Sequence, residues 1–540
     1  MSDSEAEARR RRRATYHTIA IVALALTAGR IAVVTGRDTL TAFLSANDRS
    51  RWCTIASLVE HGTYAIDQQI AITDPIKRHI HPWQTIDKVR HVDDEGKQRY
   101  YSSKPPLFPT AVAGIYWVVN RITGMTLTEQ PIYVGRIVLA LVNLPLLAIF
   151  FYATIGCIER VGRGDWSKRV AAMGCCFGTM LLPFAISLNN HLPAATATAV
   201  AMWVYMVASQ RKSSDEATLP TVPVWMWALA GMAAALAAAN ELPALSMTVF
   251  WFGLFAWLDR RSVLPFVAGV AVVAVAFFGT NWIAHQSLRP PYAHRGNGPS
   301  IALLESSVSE PDDALIQAAG EKIKAAGFTG SVAPALAPSD ESDRWIIRVD
   351  ERQFALLSSE ALRSRGQWEL RHWDDWYEYP GTYWKDGQRR GVDRGEPSRT
   401  TYLAHMTIGH HGIFSLTPLW VLMPIGLILG VASGTTEYRR FALAVLVATA
   451  VCMLFYLNRP LIDRNYGGVS ICFRWLLWFA PLWLVVSVPV MHWFRSDTLR
   501  RGLLYTLLAL SVFSMSASLD SPWQSPWLYQ FWQFLGWISV

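Results

Sequence analysis

Residues 263–284 read VLPFVAGVAVVAVAFFGTNWIA, a run without one charged side chain. An α-helix rises about 1.5 Å per residue, so this run reaches across the ~30 Å of hydrocarbon in a bilayer. A helix also satisfies its own backbone hydrogen bonds, which lipid cannot do for it. Comparable runs precede it, YVGRIVLALVNLPLLAIFFYATIGC at 133–157 and VWMWALAGMAAALAAAN at 224–240. The whole 540-residue chain is 52% hydrophobic and only 17% charged, against roughly 25% charged in soluble domains. The fold class is therefore an all-α polytopic membrane protein. The net charge of +8 does not point to nucleic acid, because the basic residues sit in short clusters between apolar runs, as topology signals do.

Those clusters set the expected orientation. The N-terminal block RRRRR (9–13) precedes the first apolar helix. No small-residue cleavage site follows it, so we read an uncleaved anchor behind a basic cytoplasmic tail (1–16). Apolar runs then follow at about 17–35, 133–157, 169–187, 193–208, 224–240, 243–257, 264–284, 413–432, 440–457, 474–491 and 502–518, about eleven spans in all. This count places every short basic loop (IERVGRGDWSKR, SQRKSSDEA, WLDRRS, GTTEYRR, HWFRSDTLRRG) on the cytoplasmic side and the C-terminus outside. The short run PLFPTAVAGIYWVV (106–119) is expected as a helix dipping into, or lying on, the outer surface. The expected domains are an N-terminal transmembrane module (17–284) with a first exterior loop (37–131), an exterior loop domain (285–411) and a C-terminal transmembrane module (412–540). The stretch around 305–345 reads as a mobile, helical or disordered insertion, giving a mixed exterior segment. No GxxxxGK[ST] nucleotide loop is present.

Several residues could carry chemistry on the exterior face. In NDRSRWCTIASLVEHG (47–62) apolar residues recur at helical spacing, which predicts an amphipathic surface helix. Asp48 or Asn47 suits its N-cap. In YYSSKPPLFP the Pro-Pro pair stiffens the chain beside Lys104. A lysine held so at the headgroup layer suits a lipid-linked phosphate, or simply snorkels to water. Asn189, Asn190, His191, Asn240 and Glu241 fall at the outer ends of apparent spans. Ionisable groups there either line a cavity or reach water at a helix-hairpin corner. RNYGGVSICFRWLL places Tyr466 and a Gly-Gly turn before Arg474, a second phosphate ligand or a boundary arginine. His405, His410 and His411 invite a metal reading, but there is no HExxH and adjacent histidines cannot share a helical face. The aromatic stretch 368–384, WELRHWDDWYEYPGTYW, reads as a platform for sugar rings or as interfacial aromatics, with Asp374, Asp375 and Glu378 as paired acids. The six cysteines read as small packing residues, with a Cys53–Cys472 bridge as the alternative.

Together these features resemble the GT-C superfamily of integral-membrane glycosyltransferases, nearest its protein O-mannosyltransferase and lipid A aminoarabinose-transferase branch. The resemblance rests on Asp48 just after the first span, KPPL (104–107) leading into a surface helix, GRIVLALVNLPLLAIFFYA (135–153) and YGG…FRWLLWFAPLWL (466–483). It covers roughly residues 17–210 and 412–490. It implies a polyprenyl-phosphate-linked sugar as donor, an unidentified protein, lipid or glycan acceptor, and a multi-pass plasma (inner) membrane protein with its active site outside. It makes Asp48 the general base and Lys104 a donor-phosphate ligand, with Arg474 and Arg49 as weaker ligands. Asn190, His191, Glu241, His410, His411 and Tyr466 are substrate-cavity candidates. The family's acidic pair is here Asp48-Arg49, so no metal ligand and no cofactor is assigned; a divalent metal is the disfavoured alternative. The competing function readings are a transporter or flippase for a lipid-linked or anionic substrate, and a GT-C-like scaffold without activity.

Overall fold

The computed structural model describes residues 3–74, 77–213, 222–330, 332–339, 341–385 and 387–538. It divides into two compact units: a helical unit of Met1–Asp48, Gly114–Phe277 and Arg390–Val540, and a mixed unit of Arg49–Ala113 and Phe278–Arg389.

Among the described residues, six helices are long and apolar enough to cross a membrane: Glu5–Val33, Pro131–Val161, His191–Arg211, Arg260–His285, Thr436–Leu457 and Arg474–Ser496. Three shorter apolar helices, Val224–Asn240, Leu242–Leu258 and Pro418–Ser433, accompany them. Eleven full spans do not follow from helix length and composition. The run at 169–187 shows why: its helix Asp165–Phe177 stops at Gly178, and only a turn, Leu181–Phe184, continues it. The loop SQRKSSDEA lies partly outside the described residues. His191–Arg211 is the central helix, with 89% of its apolar window buried against 17% for Arg260–His285. Between apolar helices in lipid, close backbone approach replaces the hydrophobic effect as the attractive term. A Cβ added to Gly231 would sit 2.0 Å from the Phe266 carbonyl oxygen. One added to Gly269 would sit 2.1 Å from that of Ala228.

Among the described residues, the mixed unit contains all the strands. Strands β1 (Lys88–Val92) and β2 (Gln98–Ser102) form an antiparallel hairpin. Strands β3 (Asn297–Glu305), β4 (Ala335–Pro338), β5 (Arg344–Val349), β6 (Arg352–Leu357) and β7 (Gln367–Trp373) form an antiparallel sheet in the order β3-β7-β6-β5-β4. The segment expected to be mobile, helical or disordered thus supplies a helix and the strand β4, with β3 ending and β5 beginning at its borders. The helix Asp313–Ala325 is capped by the Asp312 side chain, which accepts from the Leu315 N–H. Its Leu315, Ala319 and Ile323 pack with Ile347, Phe354 and Leu370 of the sheet. Residues 49–113 group with 278–389 because hydrogen bonds join them: the Arg90 N–H donates to the Trp376 carbonyl at 2.8 Å, and the Trp384 side chain through Nε1 to that of Ile86 at 2.9 Å. The domain borders drawn from the sequence, at 131, 285 and 411, do not anticipate this grouping.

Two further expectations meet different geometry. The helix Ala46–Ala56 is not amphipathic in its surroundings: Asp48, Ser50, Trp52, Cys53, Ile55 and Ala56 are all fully buried and Arg51 nearly so. The helix Leu107–Thr123 is two-faced, with Val112, Tyr116 and Val119 buried and Trp117, Val118 and Ile122 exposed. All six cysteines, Cys53 and Cys472 included, are buried free thiols.

Candidate functional site

At the ends of three apolar helices the helical unit gathers four of the residues singled out from the sequence. Glu241 lies in an extended link between the helix Val224–Asn240 and the 3-10 turn Leu242–Ala244, where Pro243 forbids a continuous helix. The Asn189 side chain accepts from the N–H groups of His191 and Leu192 at 2.9 and 3.3 Å, which starts the helix His191–Ser213. Asn190 Nδ2 then donates to Glu241 Oε1 at 2.6 Å and to the Asn240 carbonyl at 2.9 Å. His191 Nδ1 lies 2.5 Å from the same Glu241 oxygen, and Arg474 Nη1 lies 2.8 Å from His191 Nε2. Guanidinium nitrogens only donate. His191 Nε2 is therefore the acceptor, and Nδ1 carries the proton it gives to Glu241. The result is a directed chain, Arg474 to His191 to Glu241, in which His191 is fully buried.

The YGG segment explains how Arg474 is fixed. Tyr466, Gly467 and Gly468 have φ of 57°, 97° and 78°, three successive left-handed residues, of which only glycine adopts the conformation without cost. This run turns the Gly467 carbonyl onto Arg474, whose Nε donates to it at 2.6 Å. A Cβ on Gly467 would meet that Nε at 2.8 Å. The guanidinium also lies over the Trp523 ring, 5.0 Å from its centroid, and Trp523 Nε1 donates to Ser187 Oγ at 3.1 Å. Trp523 was missed in the sequence, where the Trp-rich tail carries no spacing that separates a site residue from an interfacial one.

His410 and His411 do come together, because they sit in a turn between the helices Arg399–Thr407 and Ile413–Leu416 rather than on a helical face. Their Nδ1 atoms are 2.5 Å apart. The His411 ring stacks on Tyr466 with centroids 4.6 Å apart, and His405 stacks on His410 at 3.9 Å. Burial pulls His410 down to about 3 and also lowers His411, so both rings are neutral. Among the described residues, no three His, Cys, Asp or Glu side chains are arranged to hold a metal ion.

Asp48 closes a capping box at the start of its helix. Ser45 Oγ accepts from the Asp48 N–H at 3.2 Å, while the Asp48 carboxylate accepts from the N–H groups of Ser45 at 2.8 Å and Leu44 at 2.9 Å. The residue type that fits a base here is also the one that fits a cap.

In the mixed unit, Lys104 has an ion-pair partner that sequence reading missed: Asp87 Oδ2 lies 3.1 Å from its Nζ. Arg49 Nη1 donates to the Gln84 carbonyl at 3.0 Å. The acids at 374–378 are engaged by basic side chains. Asp374 meets His294 at 2.6 Å and Arg289 at 2.7 Å, and Asp375 and Glu378 both meet the buried Arg344. Trp368 is core of the sheet, and Trp376 stacks flat on His294 with centroids 3.4 Å apart.

No protein-family model matches the sequence, and no curated protein matches it. Among solved structures, the chain is similar in fold to the oligosaccharyltransferase of Archaeoglobus fulgidus in the apo form, at 12% identity and a TM-score of 0.47, over 97% of this chain and 57% of that one. It is also similar to the same archaeal enzyme with an inhibitory peptide and a dolichol-phosphate, at 13% identity and a TM-score of 0.47. A third neighbour is the S. cerevisiae protein O-mannosyltransferase Pmt1-Pmt2 complex bound to the sugar donor, at 11% identity and a TM-score of 0.45, over 97% of this chain and 92% of that one. These neighbours are GT-C superfamily members. The chain spans little more than half of the archaeal enzyme, and at these identities the likeness assigns neither an activity nor a substrate to it.

Proposed function

We propose that the chain transfers a sugar from a polyprenyl-phosphate donor to an acceptor on the non-cytoplasmic face of the membrane. The observation that carries this reading is Arg474. It is a permanent cation at the start of an apolar span, clamped by the Gly467 carbonyl and His191 and backed by Glu241. A fixed guanidinium at the end of an apolar helix matches a lipid phosphate in charge, depth and geometry. His191, Glu241 and Asn190 are positioning residues in this reading, since they orient the arginine.

The step runs as follows. An acceptor hydroxyl or amine attacks the anomeric carbon while the bond from that carbon to the phosphate oxygen breaks. The acceptor's proton passes to the Asp48 carboxylate, and the polyprenyl phosphate leaves with the bonding pair. Arg474 stabilises the charge that grows on it. The basic N-terminal block keeps this end of the helices opposite the cytoplasm. Lys104, already paired with Asp87, is assigned no step.

The test is transfer of labelled sugar in proteoliposomes supplied with polyprenyl-phosphate mannose, glucose or arabinose and a cell-envelope acceptor fraction. Asp48→Asn keeps an oxygen for the cap yet removes the base, so the rate should drop by roughly 10²–10⁴-fold with expression unchanged. Arg474→Met should weaken donor binding. Transfer by Asp48→Asn within twofold of the parent would remove the assignment. Donor movement across the bilayer without transfer would favour the flippase instead.

A further inference from the structure

The mixed unit carries a concavity that the transfer step does not use. A cavity of about 630 Å³ opens among Asp67, Gln84, Lys88, Tyr100, Tyr379 and Tyr383. Its size falls in the range of small-molecule sites, roughly 300–1,000 Å³. From this groove we infer a carbohydrate-binding site for a neutral, multiply hydroxylated ligand of two to three sugar rings.

Three aromatic rings line one cavity. Tyr100 and Tyr379 meet edge to face with centroids 5.4 Å apart, and Tyr379 Oη donates to the Lys88 carbonyl at 3.3 Å. Tyr100 and Tyr383 are partly exposed, while Tyr379 is buried. This is how an amphipathic ring offers a face or edge to sugar C–H groups while its hydroxyl stays wet. Planar polar groups stand beside them. Asp67 Oδ2 accepts from the Tyr100 N–H at 3.0 Å, which fixes the carboxylate. Gln84 Oε1 accepts from Lys88 Nζ at 2.6 Å, which fixes the amide. Paired hydrogen bonds from such groups fit vicinal hydroxyls.

Charge argues for a neutral ligand. The groove holds one carboxylate and one ammonium, and the ammonium is 4.8 Å from the Tyr100 centroid. Burial raises the Asp67 carboxyl and lowers the Lys88 ammonium, and one acidic beside one basic side chain leaves no excess of either sign to recruit a charged ligand. An anionic headgroup, by contrast, needs a cluster of cations.

The test uses the full chain in lipid nanodiscs, free of sugar-headed detergent, and saturation-transfer NMR with mannotriose, cellotriose and maltotriose. A serine- and threonine-rich peptide is the comparison ligand. At least one trisaccharide should receive saturation, with binding weakened at least fivefold in both Tyr383→Ala and Gln84→Ala. If Tyr383→Ala fails to fold, Gln84→Ala alone decides. Saturation of no trisaccharide, of the peptide only, or undiminished in Gln84→Ala overturns the site. Asp48→Asn should bind the same trisaccharide as the parent, so failure of the groove and failure of the transferase reading appear in different assays.

Discussion

The two units handle polar groups in opposite ways. The helical unit is apolar along its helices and concentrates its polar links at helix ends, as in the Arg474–His191–Glu241 chain. The mixed unit buries charge in its body: Arg344 is 1% exposed and is held by Asp375 and Glu378. Both units stack imidazoles on aromatic rings, His411 on Tyr466 in the first and His91 between Tyr101 and Trp376 in the second. Backbone approach at small residues holds the first unit together. Ion pairs and ring stacks that cannot be removed one partner at a time hold the second.

Cutting Arg344 should show the difference most strongly. Arg344→Met leaves two carboxylates buried without their cation, which costs about 3–5 kcal/mol when one partner of a buried pair is lost. Proteolysis and thermal unfolding should report collapse of the strands before the helices. Melting unchanged from the parent would mean that Arg344 does not organise its unit.

Acid should come next. Burial holds His91 down to about 4, against about 6.5 for an unfolded imidazole. Between these values the unfolded state binds more protons, so stability falls as pH drops through that window, by on the order of 3 kcal/mol. Asp374 adds to the loss at lower pH. Burial works against its charged form, but hydrogen bonds from His294 and Arg289 outweigh it and lower its pKa. That contribution is present above about 3.9, the unfolded value, and is lost as pH falls through the folded one. Strand unfolding followed by near-ultraviolet dichroism should shift between pH 7.5 and 5, and His91→Phe should shift less. Equal shifts in parent and variant would acquit His91.

How much the sequence disclosed follows the same divide. Hydropathy runs such as 263–284 mark helices because lipid leaves the backbone no other solution, and His191–Arg211 and Thr436–Leu457 lie close to where the apolar pattern puts them. The candidate residues His191, Glu241 and Arg474 stood out because ionisable groups amid apolar sequence are costly and need partners, and Asn190 because it adjoins His191. Their convergence was not legible, for nothing in RNYGGVS announces that three left-handed residues aim a carbonyl at Arg474. Nor could Asp87 be read as the partner of Lys104, since strand register places them together. The sheet escaped for another reason: its strands, four to nine residues each between polar links, carry too little apolar periodicity to outweigh the polar background.

The helical unit should answer to a single methyl group. Gly231→Ala drives a Cβ into the Phe266 carbonyl and should cost about 1–3 kcal/mol as the helices part. Gly253→Ala, on the helix Leu245–Leu258 with nothing near its added Cβ, should stabilise by roughly 0.5–1 kcal/mol. If the two variants melt alike, helix contact at glycine is not what holds this unit together.

The smallest expected effect concerns metal. In the family that the sequence resembles, an acidic pair follows the first span; here position 49 is arginine, and its guanidinium donates to the Gln84 carbonyl. A divalent ion bound through Asp48 would lack the second carboxylate that hard cations favour. Asp48 is, moreover, engaged by the amides of Leu44 and Ser45. In the proposed transfer, charge stabilisation on the leaving phosphate falls to Arg474, whose own clamp is a carbonyl and an imidazole. Millimolar EDTA should therefore leave the transfer rate within twofold, while Arg474→Met lowers it. Strong inhibition by EDTA, restored by Mn²⁺, would move the electrophilic role from the arginine to an ion.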